Sequence, residues 1–181
     1  MHKIKLKHFA GLALLLAVAL TPLPAAEANN GAPTPDLPPA CARLQVPEGN
    51  KLAFHVYARG VQVYKWNGMG WAFVGPVATL YADAGYNGQV GIHYGGPTWE
   101  SYSGSIVKGA VVERCTPDPG AIQWLRLAAT SNSGPGIFGS VTFIQRVNTA
   151  GGIAPTDPGT SVGQVAEVPY TTEYYFYRAE D

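Results

Sequence analysis

An alternation of apolar and polar residues, broken at short intervals by glycine and proline, is the feature that most constrains the fold of this chain. The first clear run begins at Leu52, which shares one face with Phe54 and Val56. A period of two is typical of β-strands, whose successive side chains point to opposite faces. Beyond residue 28, no segment has the apolar period of 3.6 that an amphipathic helix requires. The sequence therefore predicts an all-β fold, a single-domain antiparallel β-sandwich or barrel of about ten short strands.

Turn signals separate the predicted strands, and Asn67-Gly68 is typical of a tight hairpin. The strands are predicted at residues 52–58, 61–66, 71–74, 77–81, 90–94, 98–102, 105–113, 121–127, 139–147 and 170–178. The segment 148–163, rich in glycine and proline, is predicted to be a loop. A loop of this length in a compact domain is more often functional or mobile than not.

The N-terminal segment has the features of a signal peptide. Residues 1–28 combine a basic start, an apolar run at residues 9–20 and a small-residue cleavage site at Ala26-Glu27-Ala28. An apolar run of about 12 residues is shorter than the roughly 20 needed to span a membrane. Export to a periplasm or to the extracellular space is therefore predicted, with no membrane span after cleavage. Four prolines predict an extended or disordered leader at 29–40, so the single β domain is expected at 41–181.

The charge balance excludes two classes of partner. The chain has 12 basic and 12 acidic residues, and removal of residues 1–28 takes away three lysines and one glutamate. The mature chain then carries 9 basic and 11 acidic residues. Nucleic acid and anionic membranes require a basic face, so neither is expected as a partner. A monomer is expected.

Cys41 and Cys115 are the only cysteines of the chain. An exported chain meets an oxidising compartment, so a disulfide between them is predicted. The alternative, a reactive or metal-binding thiol pair, lacks both a CxxC motif and a nearby histidine.

Residues 91–104, with the sequence GIHYGGPTWESYSG, form the strongest candidate for a functional site. The window gathers titratable and aromatic side chains around Gly95-Gly96-Pro97, where the backbone must turn. Flat rings near turns, including those of Trp66 and Trp71, can stack on a sugar or an apolar ligand face. The candidate ligand-binding residues are His93, Tyr94, Trp99, Glu100 and Tyr102. The leading hypothesis is an exported protein that binds a glycan or a cell-envelope component there, with residues 148–163 alongside.

Several of these residues have a structural interpretation as well. Trp99 can equally be a core residue, and Trp124 is expected in the core. His93 can hydrogen-bond within the turn, and Glu100 can accept from backbone amides. A purely structural surface protein is therefore a third hypothesis, beside binding and catalysis.

A hydrolytic or metal-assisted enzyme is the second hypothesis. His93 and Glu100 could act as base and acid, or could bind a metal ion with His55 and Asp83 as the remaining candidates. Their spacing matches no known metal signature, and no cofactor is predicted. Asp83 and Glu100 could instead be the two carboxylates of a glycosidase. No Gly-x-Ser-x-Gly elbow or phosphate-binding loop is present, so serine-hydrolase and nucleotide-binding functions lack local support.

Five motifs in a fixed order resemble one exported family, catalogued as domain of unknown function 3455. They are GVQVY at 60–64, HYGGPTWE at 93–100, AIQWLRL at 121–127, IQRVNTAGGIAP at 144–155 and VPYTTEYYFY at 168–177. The resemblance covers roughly residues 50–178 and implies one exported domain, but no activity. Members of that family often have a cysteine where this chain has Trp66, with a partner in the loop after Pro155. This chain has neither cysteine, so that bridge is not expected here.

Overall fold

In a computed structural model, which describes residues 34–180, the chain forms eight antiparallel strands that close into a barrel. Each strand pairs with the next along the chain, and the last pairs with the first. The strands are β1 (Asn50–Trp66), β2 (Trp71–Tyr81), β3 (Gln89–Tyr94), β4 (Thr98–Ser101), β5 (Ile106–Cys115), β6 (Trp124–Ser133), β7 (Val141–Gly151) and β8 (Val165–Ala179). The predicted signal peptide, residues 1–28, lies outside the described residues, as do 29–33 and Asp181. None of the helices within residues 34–180 has the length and apolar character needed to cross a membrane.

The all-β prediction is confirmed, with eight strands in place of about ten. The difference arises because two predicted breaks lie inside strands. Gly60 is within β1, where it pairs with Ala78. A Cβ atom at Gly60 would lie 2.1 Å from the carbonyl oxygen of Val77. Glycine at this position therefore permits the close approach of β2 and makes no turn.

The second predicted break, Gly75-Pro76, lies within β2. Pro76 is one residue beyond Val77, which forms the last β2–β3 pair with Tyr94. The missing N–H of Pro76 therefore removes no hydrogen bond from the β2–β3 ladder. The register between β1 and β2 also shifts near this point, between Val63 and Tyr64, as a β-bulge does.

The seven connections divide the barrel into two ends. The upper end carries connections 67–70, 95–97, 116–123 and 152–164. The lower end carries connections 82–88, 102–105 and 134–140.

The loop predicted at 148–163 is wrong for its first four residues, which belong to β7. An irregular register between Val147 and Ala150, with Asn148 at a φ of 51°, hides this part of the strand from a period-two pattern.

The lower half of the barrel interior is filled with aromatic and aliphatic side chains. Phe54 stacks on Phe176 with ring centroids 4.6 Å apart, and Phe138 packs against both rings. Phe138 comes from connection 134–140 and is fully buried, so it closes the lower end. Aliphatic neighbours such as Val56 and Leu80 complete this core.

The N-terminal segment packs against the outer face of the barrel. The predicted disulfide between Cys41 and Cys115 is present and joins this segment to the end of β5. A short 3-10 helix, Pro39–Leu44, contains Cys41. Leu37 packs against the buried residues beneath it. Pro39 and Ala40, the last two residues of the leader predicted at 29–40 to be extended or disordered, belong to this helix, and residues 29–33 of that leader lie outside the described residues.

We expect Gly60→Ala to destabilise the protein severely, by more than about 2 kcal/mol, because overpacking forces the backbone of β2 away. The matched control is Gly70→Ala, since a Cβ atom there meets nothing within 4 Å. Denaturant unfolding of the two variants measures the difference. Equal stability would contradict the close approach of β1 and β2.

We expect the double variant Cys41→Ser, Cys115→Ser to lower the free energy of unfolding. The two cysteines are separated by 74 residues, and closing a loop of that length stabilises a fold by roughly 4 kcal/mol in the chain-entropy model. Denaturant unfolding of the two proteins under non-reducing conditions gives the difference. A change below about 0.5 kcal/mol would instead mean that apolar packing alone holds the N-terminal segment.

Candidate functional site

The window at residues 91–104 folds as a hairpin of β3 and β4. Within it His93 lies opposite Trp99, and Ile92 lies opposite Glu100. Side chains alternate between the two faces of a sheet, so neighbouring pairs point in opposite directions. His93 and Trp99 lie inside the barrel, where they are 2% and 1% exposed. Tyr94 and Glu100 lie on the outer face, so the structure does not bring the predicted site residues together.

His93 is neutral and is hydrogen-bonded to the backbone within the hairpin. Its Nδ1 lies 2.8 Å from the carbonyl oxygen of Thr98. A carbonyl oxygen only accepts, so Nδ1 carries the proton and Nε2 is left as an acceptor. The imidazole stacks on Trp99 at 4.5 Å and meets the ring of Tyr174 edge-on. Burial lowers the pKa of His93 to about 3, against the hydrogen bond to Thr98, and the positive charge of Arg146 lowers it further.

The outward residues of the window form ordinary surface contacts. The hydroxyl of Tyr94 donates to Oε2 of Glu100 at 3.0 Å. Tyr102 is 59% exposed, and its hydroxyl donates to Oε1 of Gln89 at 3.4 Å. Glu100 thus accepts from a side-chain hydroxyl, where backbone amides had been expected. Because it is on the opposite face of the sheet from His93, the two cannot act together on one substrate atom.

The remaining catalytic and metal candidates lie elsewhere. Asp83 stabilises the turn at 82–88, where its Oδ1 accepts from the backbone N–H groups of Gly85 and Asn87. His55 lies on the outer face with its Nε2 2.8 Å from Oε2 of Glu173, although without the alignment of a hydrogen bond. Burial lowers the pKa of His55, and Glu173 opposes that effect. Within residues 34–180, no group of three or more histidine, cysteine, aspartate or glutamate side chains is placed to hold a metal ion.

The upper half of the barrel contains a cavity of about 580 Å³. Its walls come from inward-facing strand residues and from three of the four upper connections. Only His93 and Trp99 of the predicted site residues contribute to it. Apolar side chains supply much of the wall, including Phe73, Val111, Ile122, Leu125, Leu127 and Ile153.

Arg146, on β7, places a positive charge in this wall. Its Nε and Nη2 donate to the carbonyl oxygen of Gln123, at 3.0 and 2.8 Å. Arg114 also lines the cavity, near its rim, where the side chain is exposed. No aspartate or glutamate occurs among the described residues of the wall.

Several buried hydrogen-bond donors around the cavity have no partner within residues 34–180. They are Nε1 of Trp99, Nε2 of Gln62 and the hydroxyls of Tyr170 and Tyr174. Gln62, Trp99 and Tyr174 line the cavity. The hydroxyl of Tyr170 lies close enough to Tyr174 and Gln62 to influence its pKa, but none of these contacts has good hydrogen-bond geometry. Burial raises the pKa of both tyrosines, so both hydroxyls keep their protons at neutral pH.

Trp66 and Trp71, proposed as surface stacking residues, instead hold the connection 152–164. Their rings meet edge-on at 5.5 Å. Nε1 of Trp71 donates to the carbonyl oxygen of Asp157 at 2.9 Å. Gly159 packs so closely on Trp66 that a Cβ atom there would lie 2.5 Å from the indole. Trp124, expected in the core, is half-buried beneath the N-terminal segment.

Sequence reasoning missed Arg146, Gln62 and Tyr174 as site residues. One available signal was the alternation of side chains along each strand. Gln62 faces the same way as Ala58 on β1, and Arg146 faces the same way as Ile144 on β7; Ala58 and Ile144 are buried in the barrel. A polar residue at a core position of a strand is the informative exception.

The fold and the cavity define a class: a small antiparallel barrel of eight strands with a packed lower half and a hollow, positively charged upper half. Residues 47–178 match the family model described as "Protein of unknown function (DUF3455)", and the chain belongs to that family. The resemblance carried by the sequence motifs is thereby confirmed. No curated protein and no solved structure matches the chain.

We expect stability to fall as the pH is lowered from 6.5 to 4, in part through His93. Its pKa of about 3 in the folded protein lies below its ordinary value of 6.5. Over this range the unfolded chain binds a proton at His93 that the folded protein does not, so protonation favours unfolding. At about 1.4 kcal/mol per pH unit, this effect amounts to roughly 3 kcal/mol.

Denaturant unfolding at a series of pH values measures this slope in the native protein and in His93→Gln. The substitution should flatten the slope, whatever it does to stability at pH 7. His55→Gln is the matched control, since it should leave the part due to His93 unchanged. Parallel slopes for the native protein and His93→Gln would mean that His93 is open to water.

Proposed function

We propose that this protein binds a small molecule inside the upper half of the barrel. The observation that carries the proposal is the cavity itself, together with the unpartnered donors around it. A volume of about 580 Å³ lies within the range of small-molecule sites, roughly 300–1,000 Å³. Such sites are mostly apolar with a few convergent polar groups, which describes this wall.

The two halves of the barrel differ in how their interiors are filled. Apolar side chains fill the lower half. In the upper half, Trp99, Gln62 and Tyr174 have buried donors without a hydrogen-bond partner among residues 34–180. Each such group costs about 1–3 kcal/mol. Similar apolar packing in the upper half would avoid this cost, so the polar wall supports a binding role.

The proposal retains export but changes the position of the ligand. The disulfide between Cys41 and Cys115 is typical of an oxidising compartment, which supports export to a periplasm or to the extracellular space. Among the outward residues of the window, Tyr102 is the most exposed ring, and its hydroxyl contacts Gln89. A largely apolar cavity that opens at the upper rim of the barrel favours a small component of the cell envelope over a glycan stacked on surface rings.

Binding is also favoured over hydrolysis. His93 is neutral and already hydrogen-bonded through Nδ1, and Glu100 lies on the other face of the sheet. A general acid–base pair requires both groups within reach of one substrate.

We expect Val111→Phe to weaken binding of the fluorescent probe 1-anilinonaphthalene-8-sulfonate at least tenfold. Val111 lines the cavity, so a phenylalanine there would occupy ligand space. Its neighbour Val112 points outward and is exposed, so Val112→Phe is a matched control that should bind as the native protein does. Fluorescence titration gives the affinities, and thermal unfolding checks that both variants fold.

Two outcomes would contradict the proposal. Equal binding by Val111→Phe and Val112→Phe would place the probe outside the barrel. No binding by the native protein would favour the third hypothesis, a structural surface protein.

A further inference from the structure

We propose that the ligand is a monoanionic amphipathic carboxylate, with its carboxylate against Arg146 and Tyr174 and its apolar body along the aliphatic wall. This inference rests on the proposed binding function and specifies its ligand class. The charge of the cavity, the donors around it and the apolar remainder of its wall support this ligand class.

The charge of the cavity is opposite to that of the mature chain. After removal of residues 1–28 the chain has an excess of acidic over basic residues, 11 against 9. The described residues of the cavity wall nevertheless include two arginines and no carboxylate. Among residues 34–180, none of the ion pairs includes Arg146. A ligand that enters this cavity therefore meets an uncompensated positive charge, which favours an anion.

Arg146 is fixed in position but not neutralised. Its two hydrogen bonds go to the carbonyl oxygen of Gln123, which carries no net charge. The planar guanidinium has five N–H donors, and Nη1 takes no part in those two bonds. The charge acts on the pKa values of His93 and Tyr174 in the wall and of Tyr170 behind it, so it is central to the upper half. A guanidinium held in this way suits the planar carboxylate group.

The unpartnered groups around the cavity also select an acceptor. An indole N–H, such as Nε1 of Trp99, only donates. Tyr174 is 0% exposed and its hydroxyl keeps its proton, so this hydroxyl can donate to a carboxylate oxygen. Nε2 of Gln62 is a third donor without a partner in the described part of the chain. An ionised carboxylate only accepts and offers about four lone-pair sites, so it complements this set.

The rest of the wall limits the charge of the ligand and gives it an apolar body. Arg146 is the arginine held inside the barrel, whereas Arg114 is exposed at the rim. One internal cation balances a carboxylate better than a phosphate dianion, whose second charge would stay uncompensated. Leu125, Leu127 and Val111 offer the remaining ligand atoms a surface without hydrogen-bonding groups.

The test compares decanoate with 1-decanol, which has the same chain length and no charge, below their aggregation concentrations. We expect isothermal titration calorimetry at pH 7.5 to give at least tenfold tighter binding of decanoate to the native protein. Arg146→Gln should abolish that preference. Tyr174→Phe should weaken decanoate three- to tenfold and leave the affinity for decanol unchanged.

Tyr174→Phe also separates a binding role from a structural one. Its hydroxyl makes no well-aligned hydrogen bond among the described residues, although Tyr170 and Arg146 lie close enough to influence its pKa, so its removal should leave the thermal midpoint of the ligand-free protein unchanged or raised. Tyr177→Phe is the matched control on the same strand. Its hydroxyl donates to Oε1 of Gln145 at 2.5 Å on the outer face, so this variant should lower the midpoint and leave decanoate affinity unchanged.

The outcomes distinguish this inference from the proposed function. Equal affinity of the native protein for decanoate and decanol would overturn the carboxylate and leave the cavity as a ligand site. The inference would also be wrong if the native protein bound neither decanoate nor decanol but still bound the fluorescent probe, with that binding weakened by Val111→Phe. A lowered midpoint in ligand-free Tyr174→Phe would count against it as well. Failure of all three compounds to bind the native protein would overturn the proposed function itself.

Discussion

The pairing of β1 with β8 is the interaction on which the rest of the structure depends. It runs along nearly the whole of both strands, from Asn50 opposite Ala179 to Lys65 opposite Val165. Through this pairing the sheet closes, so each of the two strands has a hydrogen-bonded neighbour on both sides. Closure also gives the sheet an inside. An eight-stranded barrel has an interior that side chains can just fill, or that can hold one small ligand.

In this protein, side chains fill the lower half of that interior and the upper half contains a cavity. Below, Phe54, Phe138 and Phe176 are packed together. Full burial of such a ring stabilises a fold by about 1.5–3 kcal/mol. Above, an unsatisfied donor costs a comparable amount, about 1–3 kcal/mol. The packed lower half, the disulfide and the N-terminal segment therefore have to offset the polar upper half.

Local patterns in the sequence were sufficient for the fold class and the disulfide, but not for the site. The alternation of side chains along β3 and β4 already places His93 and Glu100 on opposite faces of the sheet. Which of the two faces lies inside, however, depends on closure of the barrel. In β8 the alternation does not show which face is inside, because both faces are buried. Tyr174 and Phe176 fill the interior, and Tyr175 and Tyr177 on the outer face are covered by the N-terminal segment. A strand covered on both faces loses its alternation.

Arg146 was hidden for the same reason. Its outward neighbours Gln145 and Val147 are also buried, so neither face of β7 is polar enough to mark the solvent side. The side chain of Gln145 bonds to the carbonyl oxygen of Leu44, a hundred residues earlier in the chain. Contacts over such sequence distances carry no local signal. The site is therefore a property of the closed barrel, and no single motif contains it.

The connection 152–164 has a kinetic consequence for whatever enters the barrel. Tyr64 donates to the carbonyl oxygen of Gly152 at 2.6 Å, and Trp71 donates to that of Asp157. Trp66 and Gly163 are joined by a backbone hydrogen bond at 2.8 Å. These contacts order this part of the rim when the chain folds, so a guest molecule need not order it on arrival. If the proposed function is correct, arrival of the ligand would be governed by diffusion to an opening that is already formed, and its residence time by the contacts made inside.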